Sequence, residues 1–509
     1  MSLIRILKGA VVLGAWISVR ALAAPCDPTP PPTGTTVDVA TESELQDAVR
    51  NLTSGTTILI ADGDYTLTNT LVIDGVSDVA IRSASGNREA VILRGRGMNN
   101  SDYWPVPHVF LVQDVTNLLI ADLTAQDVWF HAVQVAGEHG PSFVTLRNLH
   151  LKDAGEQLVK GSSGDSGAGL YADDCRVECC LIEFTDRARS FYTNGVDVLA
   201  GARWVVADNV FRNIRAPVGE LAGPTVLFWR NSIDTIVERN LFLECDRGVA
   251  LGLSTPDPSR ARDGDDTYDH QGGIVRNNMF YRSAGSPTGD VGLAVAHCRD
   301  YSIVHNTVLL NGSFDWTIEY RFAVSDGVVA NNLTDGRIAQ RGGASGMLAG
   351  NVTTAVPADF VDAAGGDLHL APGAATAIDA AVTGFGVASD YDGESRSLDA
   401  APDVGADELV ACVLPAEPLT GLRLTRQGDD VLLTWDLGSA PLTNVWHVTR
   451  AEDGDLTRLA SSPPAVGVAG CAEPDPAPGD SCLDLGAVSR EPLLFYRVRS
   501  SCGGAAEGP

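Results

Sequence analysis

Between Trp129 and Arg215 the sequence gathers the side chains that acid–base chemistry on a sugar polymer would use. Trp129-Phe130-His131 is followed by Glu156 and Lys160, then by Arg187, Arg189 and Tyr192, and a little later by Arg215. Breaking a uronate-containing polymer by β-elimination needs a group that neutralises the uronate carboxylate, a base for the proton beside it and a proton donor to the leaving oxygen. Arg or a bound cation can do the first. Lys, Tyr or His can do the others, a desolvated Lys acting as base when its pKa falls. His131, Lys160, Arg187, Arg189 and Tyr192 are therefore the catalytic candidates, and Trp129 and Arg215 are candidates for holding substrate. Each has a plain structural alternative: Lys160 directed into solvent after a buried Leu158, Arg187 paired with Asp186 or Glu183, His131 filling a bend.

Two further constellations compete. Tyr268-Asp269-His270 follows a charged insertion, Asp257 to Asp266, that can overhang a groove, which adds His270 to the substrate-binding candidates. Hydrolysis would want two opposed carboxylates, for which Glu156, Asp197 and Asp269 are available. Glu319 and Arg321 share one strand face and are read as an ion pair. The chain has 65 acidic against 36 basic residues, which argues against nucleic acid or anionic membrane as a general partner. Residues 129–250, with 12 Lys and Arg against 16 Asp and Glu, are less acidic, and an anionic polymer fits there if the basic groups face it.

The elements that must position these groups are legible from a degenerate repeat. A short β-branched or Leu-rich run leads into Asn and then into a second apolar run, as in Val144-Thr145-Leu146-Arg147-Asn148-Leu149 and Thr235-Ile236-Val237-Glu238-Arg239-Asn240-Leu241. Asn209, Asn278, Asn306 and Asn332 mark further copies, with Asp122 and Cys180 in the corresponding place of two more. Successive intervals from Asp122 are 26, 32, 29, 31, 38, 28 and 26 residues, too irregular for a tandem array but natural for stacked coils whose loops vary in length. Asn suits the bends because it tolerates a left-handed backbone and its amide can pair with the same residue one coil on. An antiparallel sandwich would need a turn every 8 to 12 residues. The expected fold is all-β, a right-handed parallel β-helix over residues 37–410, opened by a short capping helix that starts at the capping box Thr41-Glu42-Ser43-Glu44.

That opening, the helix followed by the apolar strand and Asp-Gly turn of residues 54–65, resembles the start of pectate-lyase-like and chondroitinase-B-like β-helices. Glu156-Gln157-Leu158-Val159-Lys160 resembles the acidic-then-Lys segment of the chondroitinase-B and alginate-lyase family. The resemblance implies Lys160 as base, Arg187 or Arg189 as its partner from the next coil, and Glu156 as a calcium ligand. Only one acidic residue precedes Lys160, where that family commonly offers two, and the interval to Arg187 is longer than expected. Asp390-Tyr391-Asp392-Gly393-Glu394-Ser395-Arg396 with Asp403-Val404-Gly405-Ala406-Asp407-Glu408 resembles a segment that closes such β-helices. It is read as a tight turn rather than a calcium loop, because no EF-hand-like pattern is complete.

At the ends, Arg5 and Lys8 precede an apolar run from Ala10 to Val19 and the small triplet Ala21-Leu22-Ala23, the layout of a cleavable signal peptide over residues 1–23. An extended Pro/Thr-rich linker is expected over 24–36. Ten cysteines in an exported chain suggest some disulfides, with Cys175, Cys179 and Cys180 crowded together, Cys471 near Cys482, and the connectivity open. Beyond Val410 alternating strands such as Val431-Leu432-Leu433-Thr434-Trp435-Asp436 and Phe495-Tyr496-Arg497-Val498-Arg499 resemble a fibronectin-type-III-like sandwich over 411–509. The expected protein is exported and acts on polysaccharide, a lyase of acidic glycans before a hydrolase. The alternative is a non-catalytic carbohydrate-binding or cell-surface β-helix, surface association then falling to the C-terminal domain.

Overall fold

The computed structural model describes residues 26–164, 169–253, 262, 267–396 and 401–409, and the strands Thr420–Gln427, Asp430–Asp436, Val445–Ala451, Ser481–Asp484 and Phe495–Ser501. The leader segment lies outside these residues. The chain divides into two compact units, one of residues 21–409 and one containing residues 410–509.

The larger unit is a right-handed parallel β-helix. Three long parallel sheets of 14, 10 and 10 described strands run its length, and successive coils feed them in a fixed order. Two coils give the first sheet two short strands each, Ser232–Ile233 with Ile236–Glu238 and His270–Gln271 with Ile274–Arg276. Ser142–Arg147 lies in the first sheet, His150–Ala154 in the second and Val159–Gly161 in the third, after which Arg176–Glu178 returns to the first. Strands this short form because alternate β-branched and Leu residues point inward. The side chains they bury make one continuous core along the axis, at about 25 cal/mol per Å² of apolar surface removed from water. Phe211, Phe242 and Phe280 stack there on consecutive coils, with ring centroids 4.9 and 4.3 Å apart. The helix Glu42–Arg50 packs on the first coils through buried Leu45 and Val49, with its capping box formed by Thr41 and Glu44.

The Asn repeat has two residues where the sequence reading gave one. The corner between the first and second sheets is a left-handed residue followed by an inward one. Asp122, Asn148, Cys179, Asp208, Arg239, Asn277, His305 and Asn331 take φ between 49° and 60°. The next residue turns its side chain into the core, and from Asn209 onward it is Asn240, Asn278, Asn306, Asn332 and Asn351. Each Oδ1 accepts the backbone N–H of its counterpart one coil earlier at 3.0–3.1 Å, and each Nδ2 donates to the next Oδ1 at 2.9–3.0 Å. The amide pairing was expected. The left-handed turn, however, belongs to the preceding residue, so Asp122 and Asn148 sit one place before the ladder and Cys180 sits in it.

Residues 26–34, within the segment read as an extended linker, are held against the coils at several points. A disulfide joins Cys26 to Cys179, Thr29 donates to Asp122 at 2.6 Å, and Arg82 and Arg147 donate to the carbonyls of Pro30 and Asp27. Cys175, Cys180, Cys245 and Cys298 are free and buried, and Cys471 lies outside the described residues. At the other end, residues 355–396 and 401–406 include a cover for the last strands of the second sheet, where Leu241, Leu243, Met279, Leu309 and Leu333 pack on Phe360, Leu370, Tyr391 and Val404. Asp390 Oδ1 accepts from the backbone of Asp392 and Glu394 and its Oδ2 from Glu408. Buried Arg396 meets Glu408 at 3.1 Å. The closing segment is thus a hydrogen-bonded turn, as its sequence suggested.

In the second unit Thr420–Gln427, Asp430–Asp436 and Ser481–Asp484 form one antiparallel sheet, and Val445–Ala451 pairs antiparallel with Phe495–Ser501.

Candidate active site

The outer face of the third sheet carries the site. Along Val159–Gly161 the flanking valine points into the core and Lys160 outward, and the register places Gln134, Lys160 and Asp197 side by side on three adjacent coils. Lys160 Nζ donates to Asp197 Oδ2 at 2.5 Å, and Asp197 Oδ1 accepts from Trp229 Nε1 at 2.8 Å. One buried carboxylate therefore fixes both a cation and an indole.

The loops that lead from the second sheet into the third bring the other groups to the same place, because each ends on an outward-facing strand start. His131 enters Val133–Val135, Glu156 enters Val159–Gly161 and Arg189 lies in the loop before Val196–Leu199. His131 Nδ1 is 3.2 Å from the Gln157 carbonyl oxygen. A carbonyl only accepts, so Nδ1 carries the hydrogen and Nε2 keeps its lone pair. Nε2 lies 4.0 Å from Glu156 Oε2. Burial, helped by His108 and Lys160, holds the His131 pKa well below its ordinary value. His108 stacks on His131 at 5.1 Å, and burial pushes it down to about 4. Glu156 is shifted the other way: burial raises its pKa against the opposing charges of Arg189 and Lys160. The Arg189 guanidinium sits 3.6 Å over the Trp129 ring, donates to the Met98 carbonyl at 3.1 Å and lies 4.0 Å from Glu156. Tyr103 stacks on Trp129 at 5.0 Å.

The structure thus brings together His131, Glu156, Lys160, Arg189 and Trp129. The other candidates are elsewhere. Arg187 turns away and donates to the Ala216 carbonyl at 2.7 Å. Arg215 is held by the carboxylate and carbonyl of Glu244. Tyr192 stands half-exposed on the loop before Val196–Leu199. His270 is fully buried inside the coils, 2.8 Å from Thr235 Oγ1 and edge-on to Phe228, with burial pushing its pKa down to about 3. It presents no surface to a substrate. Apart from Arg262, the charged insertion around 257–266 lies outside the described residues. Glu319 pairs with Arg321 at 3.5 Å, as read from sequence, and also with Arg341.

The part expected of Lys160 also changes. Its amine is committed as a donor to Asp197, whereas His131 Nε2 has an open lone pair. Calcium at Glu156 does not fit, because the groups facing this carboxylate are His131, Arg189 and Lys160, while calcium takes six to eight oxygens. Sequence reading missed His108, Tyr103 and Trp229, and gave Asp197 a hydrolase's role. A signal existed for two of them. His108 precedes Phe110 by the same two residues that separate His131 from Val133, and Asp197 follows Val196 as Lys160 follows Val159.

Two other polar sites are set apart from this one. A cleft of about 500 Å³ beyond Met98 is lined by Asp127, Asp153 and Asp186, a poor surface for an anion. Near the end of the coils, His369 is held between Asp367 at 2.6 Å and Asp392 at 2.8 Å, which satisfies both of its ring nitrogens.

No protein-family model and no curated protein matches the sequence. Among solved structures, the chain is similar to an alginate lyase from Paenibacillus sp. str. FPU-7, with 16% identity over 63% of this chain and 99% of that one at a TM-score of 0.41. It is similar to pectate lyase Pel9A, with 13% identity over 71% and 90% and a TM-score of 0.45. It is also similar to PfbA, a surface adhesin of Streptococcus pneumoniae, with 14% identity over 61% and 86% and a TM-score of 0.42. At these identities the likeness is one of fold alone. Among the described residues no helix is long and apolar enough to cross a membrane.

Proposed function

We propose that this chain is an exported polysaccharide lyase that cleaves a uronate-containing glycan by β-elimination on the outer face of the third sheet. The observation that carries the reading is the placing of His131 Nε2, with its open lone pair, 4.0 Å from the Glu156 carboxyl, whose pKa burial raises, beside two fixed cations. Arg189 and Lys160 would face the uronate carboxylate and stabilise the charge that develops on it. His131 Nε2 removes the proton on the carbon next to that carboxylate. The electron pair forms the new C=C bond as the glycosidic C–O bond breaks. Glu156 gives its proton to the leaving oxygen, and the proton on His131 then passes to Glu156, restoring both groups. Asp197 holds Lys160 in place and takes no part in proton transfer.

Export is supported by the leader-like sequence over residues 1–23, and an anionic substrate by the two cations in an otherwise acidic chain. Incubating the protein with alginate, pectate, and chondroitin or dermatan sulfate should give the ultraviolet absorbance of an unsaturated uronate with at least one of them. Reducing ends released without that absorbance would mean hydrolysis instead. No cleavage of any glycan would sink the enzymatic reading.

A further inference from the structure

The loop that carries Arg189, and the loop one coil before the one that carries His131, hold several of the most exposed large apolar side chains among the described residues. Trp104 is 72% exposed, Phe191 61% and Tyr192 49%. Isolated apolar side chains at a surface need no explanation, but these sit in loops that enter strands of the same sheet at the two ends of the run of coils holding the cluster. Trp104 is in the loop that enters Phe110–Gln113. Its neighbour Tyr103 stacks on Trp129, the ring beneath Arg189. Phe191 and Tyr192 are in the loop that enters Val196–Leu199, three coils further on. That loop is tied to the cluster where Thr193 Oγ1 donates to the Glu156 carbonyl at 2.9 Å. Three coil steps are about 14 Å, which leaves room for several linked sugar rings between the two aromatic groups.

We propose that Trp104 on one side, and Phe191 with Tyr192 on the other, are stacking subsites for the pyranose rings of an anionic glycan lying across the coils, so that the chain is cut at internal linkages. The apolar faces of sugar rings pack on aromatic rings, while Arg189 and Lys160 between them take the carboxylates. This rests on the reading of the site given above and adds the direction of the polymer and the mode of attack. A cluster flanked by ring-binding surfaces on both sides engages the middle of a polymer, whereas attack from an end needs only one flank.

Binding and cleavage test it separately. In affinity electrophoresis of the full chain through gels containing alginate or pectate, the wild type is expected to be retarded. Trp104→Ala and Phe191→Ala should each weaken the apparent affinity about tenfold, with unchanged melting temperatures, and Trp104→Phe should keep most of the retardation. Retardation equal in wild type and both Ala variants, or absent throughout, overturns the subsites whether or not the chain is a lyase. In the cleavage arm, the earliest unsaturated products should be oligomers of mixed length. Products that are unsaturated mono- or disaccharides from the first time point would overturn internal cutting while leaving β-elimination intact.

Discussion

His131 and Glu156 titrate in opposite senses, and that opposition defines how activity should depend on pH. His131, with its pKa well below the usual value, stays an open base until the solution is distinctly acid. Glu156, raised by burial, keeps its proton to higher pH than an ordinary carboxyl. The acid limb of kcat/KM then reports protonation of His131, displaced to lower pH than for an ordinary imidazole, and the alkaline limb loss of the proton from Glu156, displaced to higher pH than for an ordinary carboxyl. Glu156→Gln should lower kcat by about 10²- to 10⁴-fold and abolish the alkaline limb in a pH series on the cleaved glycan. Activity that climbs through the alkaline range would contradict the assignment. At this scale the sequence disclosed residue types well and partnerships poorly. Lys160, Glu156, His131 and Arg189 were visible as chemistry. That Lys160 is bound to Asp197, 37 residues away, depends on strand register, and that His270 is sealed depends on which way a strand start faces.

The element that fixes that register is the asparagine ladder. Replacing Asn240 by Ala would leave the backbone N–H of Asn209 without its acceptor, and would remove one bond each from the Asn209 amide, the Val206 carbonyl and Asn278 Oδ1. Buried polar groups left unpaired cost about 1–3 kcal/mol each, so a loss of about 4 kcal/mol is expected in a urea unfolding experiment. A cost under about 1 kcal/mol would show that the ladder is not fully formed. The repeat was legible because apolar runs and Asn recur once per coil. Its two-residue corner was blurred because the left-handed position accepts Asp, Asn, Cys, Arg and His alike, and the inward position is Asn only from Asn209 onward, being Leu123, Leu149 and Cys180 in the earlier coils.

For the molecule as a whole, the expected parallel coils are present and each sheet has its own outer surroundings. The last strands of the second sheet are covered by Phe360, Leu370, Tyr391 and Val404, and the strap of residues 26–34 runs past the corner between the first and second. The third sheet carries the charged and aromatic groups. The strap was read as a linker because Pro and Thr disclose extension but not what the extended chain lies against. Closing a loop of 153 residues, the Cys26–Cys179 bond should stabilise the coils by about 2–5 kcal/mol. Cys26→Ser is expected to lower the denaturation midpoint accordingly, and an unchanged midpoint would leave the strap without a structural role. The central claim is that one face of one sheet performs β-elimination, and the ultraviolet absorbance of unsaturated uronate during digestion by wild type and His131→Asn measures it most directly. The account predicts steady absorbance growth for the wild type on an acidic glycan and a rate at least about 10²-fold lower for the folded variant. Equal rates for the two proteins, or no absorbance with the wild type on any acidic glycan, would contradict it.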